Sequence, residues 1–93
     1  MDIATFESGL KSDGFQQAET KAIAAGTQNA EHAHPFEVRA LVLDGRISLT
    51  VAGVSSTYEK GQVFTMAANC GHAEQIGPDG VSYVVGRRPA TKG

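Results

Sequence analysis

The feature that most limits the folds open to this chain is the recurrence of glycine-containing turn signals. They separate short runs rich in valine, isoleucine, threonine and tyrosine. The signals lie at residues 25–26, 44–45, 52–53, 60–61 and 77–80. Many short strands joined by glycine-containing turns are typical of an all-β sandwich or barrel. We therefore expect an all-β fold over most of the chain.

The 93 residues are enough for one domain, which we expect to span 1–93. Near the start, Ile3, Phe6 and Leu10 recur at spacings of three and four residues, which predicts a short helix that ends at Gly14. We therefore divide the domain into a helical arm at 1–14, a β-barrel at about 15–86 and a loose tail at 87–93. In this division the Arg87-Arg88 pair belongs to a solvated chain end.

Charge and composition exclude several classes of partner. Eight basic residues face ten acidic ones without a basic stripe, so neither nucleic acid nor an anionic membrane surface is an expected partner. The apolar runs are far shorter than the roughly 20 residues of a membrane helix. The N-terminal residues do not resemble a secretory signal. Cys70 is the single cysteine, which excludes an intrachain disulfide and favours a cytoplasmic location.

The most informative stretch is 36–51, where apolar residues alternate on both sides of Asp44-Gly45. Asp-Gly is a strong signal for a two-residue hairpin turn. A hairpin folded there predicts three apolar pairs on its buried face, in which Val42 opposes Ile47, Ala40 opposes Leu49 and Val38 opposes Val51. The outer face is mostly polar but carries Leu41 and Leu43, so we expect it to be partly covered by another sheet or a second subunit.

The three histidines of the chain are the candidate metal ligands. Side chains alternate along a strand, so His32 and His34 face the same side as Val38 if the strand stays regular through Pro35. Two imidazoles at this spacing can converge on one ion, and His72 stands at the start of another predicted strand. An apolar barrel with a polar rim is a common setting for such a site. The alternative is that they are ordinary hydrogen-bonded histidines without metal.

The stretch from Gly26 to Gly45 resembles the first sequence motif of the cupin superfamily. Gly26 is followed by five residues and then by His32-Ala33-His34. Ten residues separate His34 from Gly45, which is the usual count in that motif. The resemblance implies that both histidines are metal ligands.

A second stretch resembles the second cupin motif. His72 stands eleven positions after Gly61, where that motif has its histidine. Together the two motifs cover about residues 22–86. They imply a small single-domain cupin with an RmlC-like jelly roll, that is, a double-stranded β-barrel with a short N-terminal helix. The implied cofactor is a divalent transition metal held by His32, His34 and His72.

The chain departs from the family pattern at several positions. The usual glutamate ligand is replaced by Val38, and Glu37, one residue away, is expected to point outward as a surface acid. In the second motif the usual proline, glycine and asparagine are replaced by Ala67, Asn69 and Ile76. We therefore expect three histidines to hold the metal, with water or substrate completing its coordination.

Two further residues share the face of His72 by alternation along the strand. Glu74 is the candidate catalytic residue, either as a general base or as a fourth ligand, and it can equally be a solvated rim acid. Cys70 can supply a thiolate, although a small buried apolar residue is the more common role. Neutral imidazoles suit Fe, Zn, Ni and Cu alike, and with Mn as a further candidate the sequence leaves the metal open.

Three hypotheses follow for the function. The first is a metal-dependent enzyme, such as a dioxygenase or isomerase, acting on a small oxygen-bearing substrate. Because no glutamate would offset the charge of the ion, an anionic substrate is favoured. The second is a non-catalytic sensor or accessory module that binds a small molecule or a metal, and the third is a barrel without metal. We also expect a homodimer, because small cupins commonly dimerise and the outer hairpin face is partly apolar.

Overall fold

The computed structural model describes residues 2–89, which form one α-helix followed by six β-strands in a single sheet. The elements in chain order are α1 (Ile3–Ser12), β1 (Gln16–Ile23), β2 (Gln28–His32), β3 (Phe36–Val51), β4 (Val54–Glu59), β5 (Val63–Met66) and β6 (His72–Pro89). The prediction of an all-β fold with a short N-terminal helix is confirmed.

Two long antiparallel strands, β3 and β6, form the centre of the sheet and pair with each other from Phe36↔Pro89 to Thr50↔Ala73. The other side of β3 carries β5 along its first half and β4 along its second half. The other side of β6 carries β2 near its start and β1 near its end. Each long strand therefore has the other long strand on one side and two short strands on the other. The strongly curved sheet encloses an apolar interior.

The inner face of the sheet holds the larger of two hydrophobic clusters. Its buried members are Val38, Ala40, Val42, Ile47, Leu49, Phe64, Ile76, Val81, Tyr83 and Val85. These residues come mainly from β3 and β6, because alternate side chains of a strand point to the same face. The inner cluster lies next to the cavity described below and supports its walls.

The predicted hairpin at Asp44-Gly45 is wrong, because β3 continues through both residues and pairs with β6 on either side of them. Gly45 has φ +73°, and the register shifts on both sides of it, so the pair forms bulges. A Cβ at Gly45 would overlap the carbonyl oxygen of Gly80, which itself has φ +76°. The positive φ that sequence analysis assigned to a turn serves instead to bend a strand where two backbones cross closely.

The predicted inner face nevertheless agrees with the structure. Val38 and Val42 before the bulge pack in the same cluster as Ile47 and Leu49 after it. The bulge shifts the alternation from even to odd positions, and a hairpin would have had the same effect. The turn that does reverse β3 lies at 52–53, where both residues have positive φ, and Val51 pairs with Val54 across it.

Helix α1 packs on the outer face of the sheet, where it forms the second cluster with Phe6, Leu10, Phe15, Leu41 and Val84. Leu43 is partly buried against the same cluster. The chain therefore covers its two outward leucines with its own helix, and they give no support to a second subunit. The homodimer stays a prediction that rests on the resemblance to small cupins.

Both ends of α1 are fixed by local hydrogen bonds. The Asp2 carboxylate accepts a hydrogen bond from the Thr5 amide at 2.7 Å, and this bond lowers the pKa of Asp2. At the other end, Gly14 has φ +81° and the Phe15 amide donates to the Leu10 carbonyl at 2.8 Å, which ends the helix as predicted.

The predicted loose tail is wrong for its first three residues, since β6 continues through Pro89. Arg88 donates from Nε to Glu37 at 2.7 Å, and its guanidinium lies 4.6 Å from the centroid of the Phe15 ring. The rest of the predicted tail, residues 90–93, lies outside the described residues. Among residues 2–89, the one helix is too short to span a membrane.

Candidate metal centre

The three histidines come from two neighbouring strands and the segment between β2 and β3. His32 is the last residue of β2 and pairs with His72, the first residue of β6. His34 follows two positions later, outside any strand, so the strand does not stay regular through Pro35, the condition on which His32 and His34 were expected to share a face. His34 still turns towards the same cavity as His32, and its carbonyl accepts a hydrogen bond from the Asn69 amide at 2.6 Å.

The three imidazoles lie close enough to share one ion. One nitrogen from each ring lies within 4.8 Å of the other two. The ring centroids of His32 and His72 are 4.4 Å apart. The ring centroid of His34 lies 5.0 Å from that of His32 and 5.3 Å from that of His72. Nitrogens on one tetrahedral ion at roughly 2.1 Å lie about 3.4 Å apart, so ion binding requires the rings to rotate inward slightly.

Backbone carbonyls fix which nitrogen of two rings is free. Nδ1 of His32 lies 2.8 Å from the carbonyl oxygen of Ala30, and Nδ1 of His72 lies 3.2 Å from that of Cys70. Carbonyl oxygens only accept hydrogen bonds, so both Nδ1 atoms must carry the proton. In the neutral rings each Nε2 then carries the lone pair, which is the arrangement that metal-binding histidines commonly have.

His72 is buried to a degree that is unusual for a polar side chain, with 1% of its surface exposed. Its Nε2 has no hydrogen-bond partner in the described part of the chain. A buried polar atom without a partner typically costs about 1–3 kcal/mol. An ion shared with the other two imidazoles would remove this cost, so the donor set fits a metal.

The imidazole of His34 is held by the phenyl ring of Phe36. The two rings stack almost parallel, with centroids 5.0 Å apart. Burial lowers the pKa of His34, and the positive charges that His32 and His72 carry when protonated lower it further. Both effects favour the neutral imidazole, the form that binds metal.

Glu74 lies beside the cluster, as its alternation with His72 predicted. Its Oε1 is 3.8 Å from Nε2 of His32 and accepts a hydrogen bond from Nδ2 of Asn29 at 3.0 Å. Only 12% of the side-chain surface is exposed. A carboxylate in this position can accept a proton from a molecule bound at the histidines or can itself reach an ion there.

His32 and His34 open into a cavity of about 520 Å³, and His72 is buried behind them, outside its lining. His32 and His34 line it together with Glu74 and apolar side chains that include Phe36, Val38, Phe64, Met66 and Val85. Val38, which replaces the usual glutamate, therefore contributes apolar surface to the cavity. Such a cavity suits a small molecule that has few polar groups and uses them to fix its orientation.

The other acid and the thiol considered in the sequence lie elsewhere. Glu37 forms an ion pair with Arg88 on the outer face, as its predicted outward orientation requires. Cys70 is partly buried and does not line the cavity, although its carbonyl oxygen orients His72. The structure thus brings Glu74 to the histidines and leaves Glu37 and the Cys70 thiol outside.

Sequence reasoning missed several residues of the cavity, among them Lys21, Asn29, Tyr83 and Arg87. Tyr83 lies on the cavity wall, where burial raises its pKa and the charge of Glu74 adds to the rise. Arg87 had been placed in a solvated chain end. Alternation places Tyr83, Val85 and Arg87 on the same face, but only once β6 is known to continue through residue 87.

No protein-family model matches the chain, and no curated protein sequence matches it. Solved structures do. The RmlC-like cupin from Shewanella frigidimarina superposes with a TM-score of 0.68 at 22% identity, over 82% of this chain and 68% of that one. The cupin domain of Cnp3 from Schizosaccharomyces pombe gives a TM-score of 0.65 at 17% identity, over 86% and 66%.

An enzyme is also among the similar structures. The DMSP lyase DddQ from Ruegeria pomeroyi gives a TM-score of 0.70 at 19% identity. The match covers 82% of this chain but only 39% of the lyase, so this chain spans about two fifths of that enzyme. At these identities the comparisons establish the fold and not the activity. The chain has the cupin fold, as its two motifs implied.

Proposed function

We propose that this cupin-fold chain holds one divalent transition ion with His32, His34 and His72 and is an enzyme that acts on a small, oxygen-bearing anion. The observation that carries the proposal is the buried Nε2 of His72. It has no hydrogen-bond partner in the described part of the chain, and it belongs to a cluster whose nitrogens lie within 4.8 Å of one another.

A metal ion would use all three rings at once. Water could satisfy one free nitrogen, but neutral imidazoles whose Nδ1 atoms donate to backbone carbonyls, as those of His32 and His72 do, offer Nε2 as an acceptor and no further donor. A cation is the partner that such a set favours. Imidazole ligands suit Fe, Zn, Ni and Cu, and the proposal covers these ions and Mn without choosing among them.

The bound ion would supply Lewis acidity towards a substrate oxygen, which the side chains of the cavity lack. We assign Glu74 the role of general base. Its carboxylate lies 3.8 Å from His32, and the Asn29 amide holds it towards the cavity at 3.0 Å. From there it can take a proton from a substrate carbon or hydroxyl and later return it.

The cavity favours a small substrate. Its volume of about 520 Å³ lies within the range of small-molecule sites, and Phe36, Phe64 and Met66 place apolar surface beside its polar groups. Three neutral imidazoles would leave the charge of a divalent ion uncompensated, which favours an anion. The lyase among the structural relatives supports enzymatic chemistry on this fold, and we take no substrate from it.

Glu74→Gln separates an enzyme from the non-catalytic binding module that the sequence also allows. Protein loaded with Zn²⁺ is incubated in D₂O with small hydroxy and oxo acids, and deuterium incorporation at carbon is followed by NMR. We expect exchange with the unmodified chain and a loss of about 100-fold or more in Glu74→Gln, because general-base catalysis typically contributes that much. The zinc content should stay the same.

Glu31→Gln is the matched control, because Glu31 is an exposed acid on the same strand as His32. It should exchange like the unmodified chain. Undiminished exchange in Glu74→Gln would contradict its role as a base. Loss of zinc in that variant would make Glu74 a fourth ligand. Zinc binding without exchange of any acid would favour the sensor.

A further inference from the structure

Two cationic side chains line the same cavity as the histidines. Arg87 comes from β6 and Lys21 from the neighbouring strand β1. The lining residues include one acid, Glu74, so the charged groups of the wall are two positive and one negative. With a divalent ion at the histidines, the cavity as a whole would attract an anion strongly.

Arg87 is linked to the histidine cluster through an aromatic ring. Its guanidinium carbon lies 5.6 Å from the centroid of Phe36, and Phe36 stacks on His34 with centroids 5.0 Å apart. The cation, the phenyl ring and the imidazole thus follow one another along the cavity wall. A molecule that contacts both Arg87 and the histidine cluster would lie beside Phe36, which contacts both.

One acid holds the guanidinium in place without occupying all its donors. A terminal nitrogen of Arg87 lies 3.1 Å from Oε1 of Glu19, and 24% of the Arg87 side chain is exposed. A guanidinium has five N–H donors in a fixed planar arrangement. Within residues 2–89, Glu19 is the only carboxylate within ion-pair distance of Arg87. Donors therefore remain for a second carboxylate, which guanidinium binds in a bidentate manner.

We propose that Arg87 recognises a carboxylate of the substrate, while another oxygen of the same molecule lies at the histidine cluster. The substrate class is then a small acid whose oxygen function is separated from the carboxylate by a short chain that lies beside Phe36. This inference rests on the proposed function, because it takes the histidines as the second point of attachment.

Lys21 contributes less to this recognition. Its Nζ lies 3.9 Å from Glu19, at the limit of an ion pair, and 45% of its side chain is exposed. An exposed ammonium is strongly hydrated and has no planar set of donors to match a carboxylate. Lys21 adds positive charge to the entrance, whereas Arg87 provides directed hydrogen bonds.

The competing explanation is that Arg87 only joins β1 to β6 through Glu19. The two explanations predict different effects of Glu19→Gln, the first on the stability of the protein and the second on its affinity for a carboxylate. If Arg87 is structural, removing its acid weakens the protein in the same way as removing Arg87. If it binds a substrate carboxylate, Glu19→Gln removes a competing anion from Arg87 and leaves the guanidinium more available.

The test uses succinate as the probe, titrated into Zn²⁺-loaded protein by calorimetry at low ionic strength. We expect the affinity to fall about tenfold or more in Arg87→Gln, partly in Arg87→Lys, and by less than about threefold in Lys21→Gln. Glu19→Gln should bind succinate as tightly as the unmodified chain or more tightly. Succinamide, which has the same length without charge, should not bind.

Zinc content, measured on each variant, separates this inference from the proposed function. Undiminished succinate binding in Arg87→Gln with zinc present would overturn the role of Arg87 alone. Equal losses in Arg87→Gln and Lys21→Gln would also overturn it, because charge alone would then account for binding. Absence of succinate binding to the zinc-loaded unmodified chain would overturn it as well. Absence of zinc from the unmodified chain would overturn the proposed function, and the inference with it.

Discussion

Two regions of β6 differ in what their buried atoms contact. Near the middle of the β3–β6 pair, where Gly45 meets Gly80, backbone atoms are in contact and a single Cβ would not fit. Where β6 begins, His72 is deeply buried, yet one of its nitrogens has no partner in the described part of the chain. The glycine crossing is therefore complete in the protein alone, whereas the histidine rim leaves a buried polar atom that the proposed metal would bind.

This difference separates stability from binding. Close packing without voids is where a substitution costs most, because neighbouring backbone cannot move aside easily. A buried polar atom without a partner lowers stability and is retained where it has a function. We therefore expect changes at the glycine crossing to alter folding, and changes at the histidine rim to alter metal binding.

The largest expected effect is that of Gly45→Ala. The new methyl group would overlap the Gly80 carbonyl, and the residue would have to keep φ at +73°. We expect the free energy of unfolding, measured with urea, to fall by about 3 kcal/mol or more, or the protein to fail to fold.

Gly53→Ala is the matched control for that variant. Gly53 has a similar φ of +80°, but a Cβ there would meet nothing within 4 Å. It should cost only about 1–2 kcal/mol, the usual penalty for alanine in this conformation. Equal losses in the two variants would show that the strand crossing is not closely packed.

His72→Leu is expected to have a smaller effect, on metal binding and not on the stability of the metal-free protein. The metal-free variant should be as stable as the unmodified chain or slightly more stable, because it loses a buried polar atom without a partner. The variant should also lose the stabilisation that metal gives the unmodified chain. That stabilisation is about 2.7 kcal/mol when the free metal concentration is 100 times the dissociation constant. Urea unfolding with and without Zn²⁺ measures both. A large loss of stability without metal would make His72 a structural residue and remove the contrast between the glycine crossing and the histidine rim.

Local patterns predicted much of the fold and of the site. The helix, the inner face of β3 and the pairing of His32 with His34 follow from spacing along the chain, because each depends on residues a few positions apart. His72 lies far along the chain, and the resemblance to the second cupin motif implied its place in the set. The hairpin at Asp44-Gly45 failed for the opposite reason. Positive φ at Gly45 suits a turn and a bulge equally, and only the pairing of distant β6 with both halves of β3 decides between them.

The cavity residues that the sequence analysis missed depend on long-range register. Arg87 lines the cavity because β6 extends past residue 86 and pairs with β1 and β3 at its far end. No local pattern shows that a basic residue near the end of the chain continues a central strand. Tyr83 was missed for the same reason. Its neighbour Phe64 lies on β5, and its neighbour Glu74 lies near the other end of β6.

The measurement that tests the central claim most directly is the metal content of the protein, purified without a histidine tag and analysed beside His34→Ala. If the three histidines hold a metal, the unmodified protein contains about one transition-metal ion per chain and His34→Ala loses most of it. If the protein binds no metal after incubation with Fe, Zn, Ni, Mn or Cu, or if His34→Ala retains all of it, the histidine rim is not a metal centre.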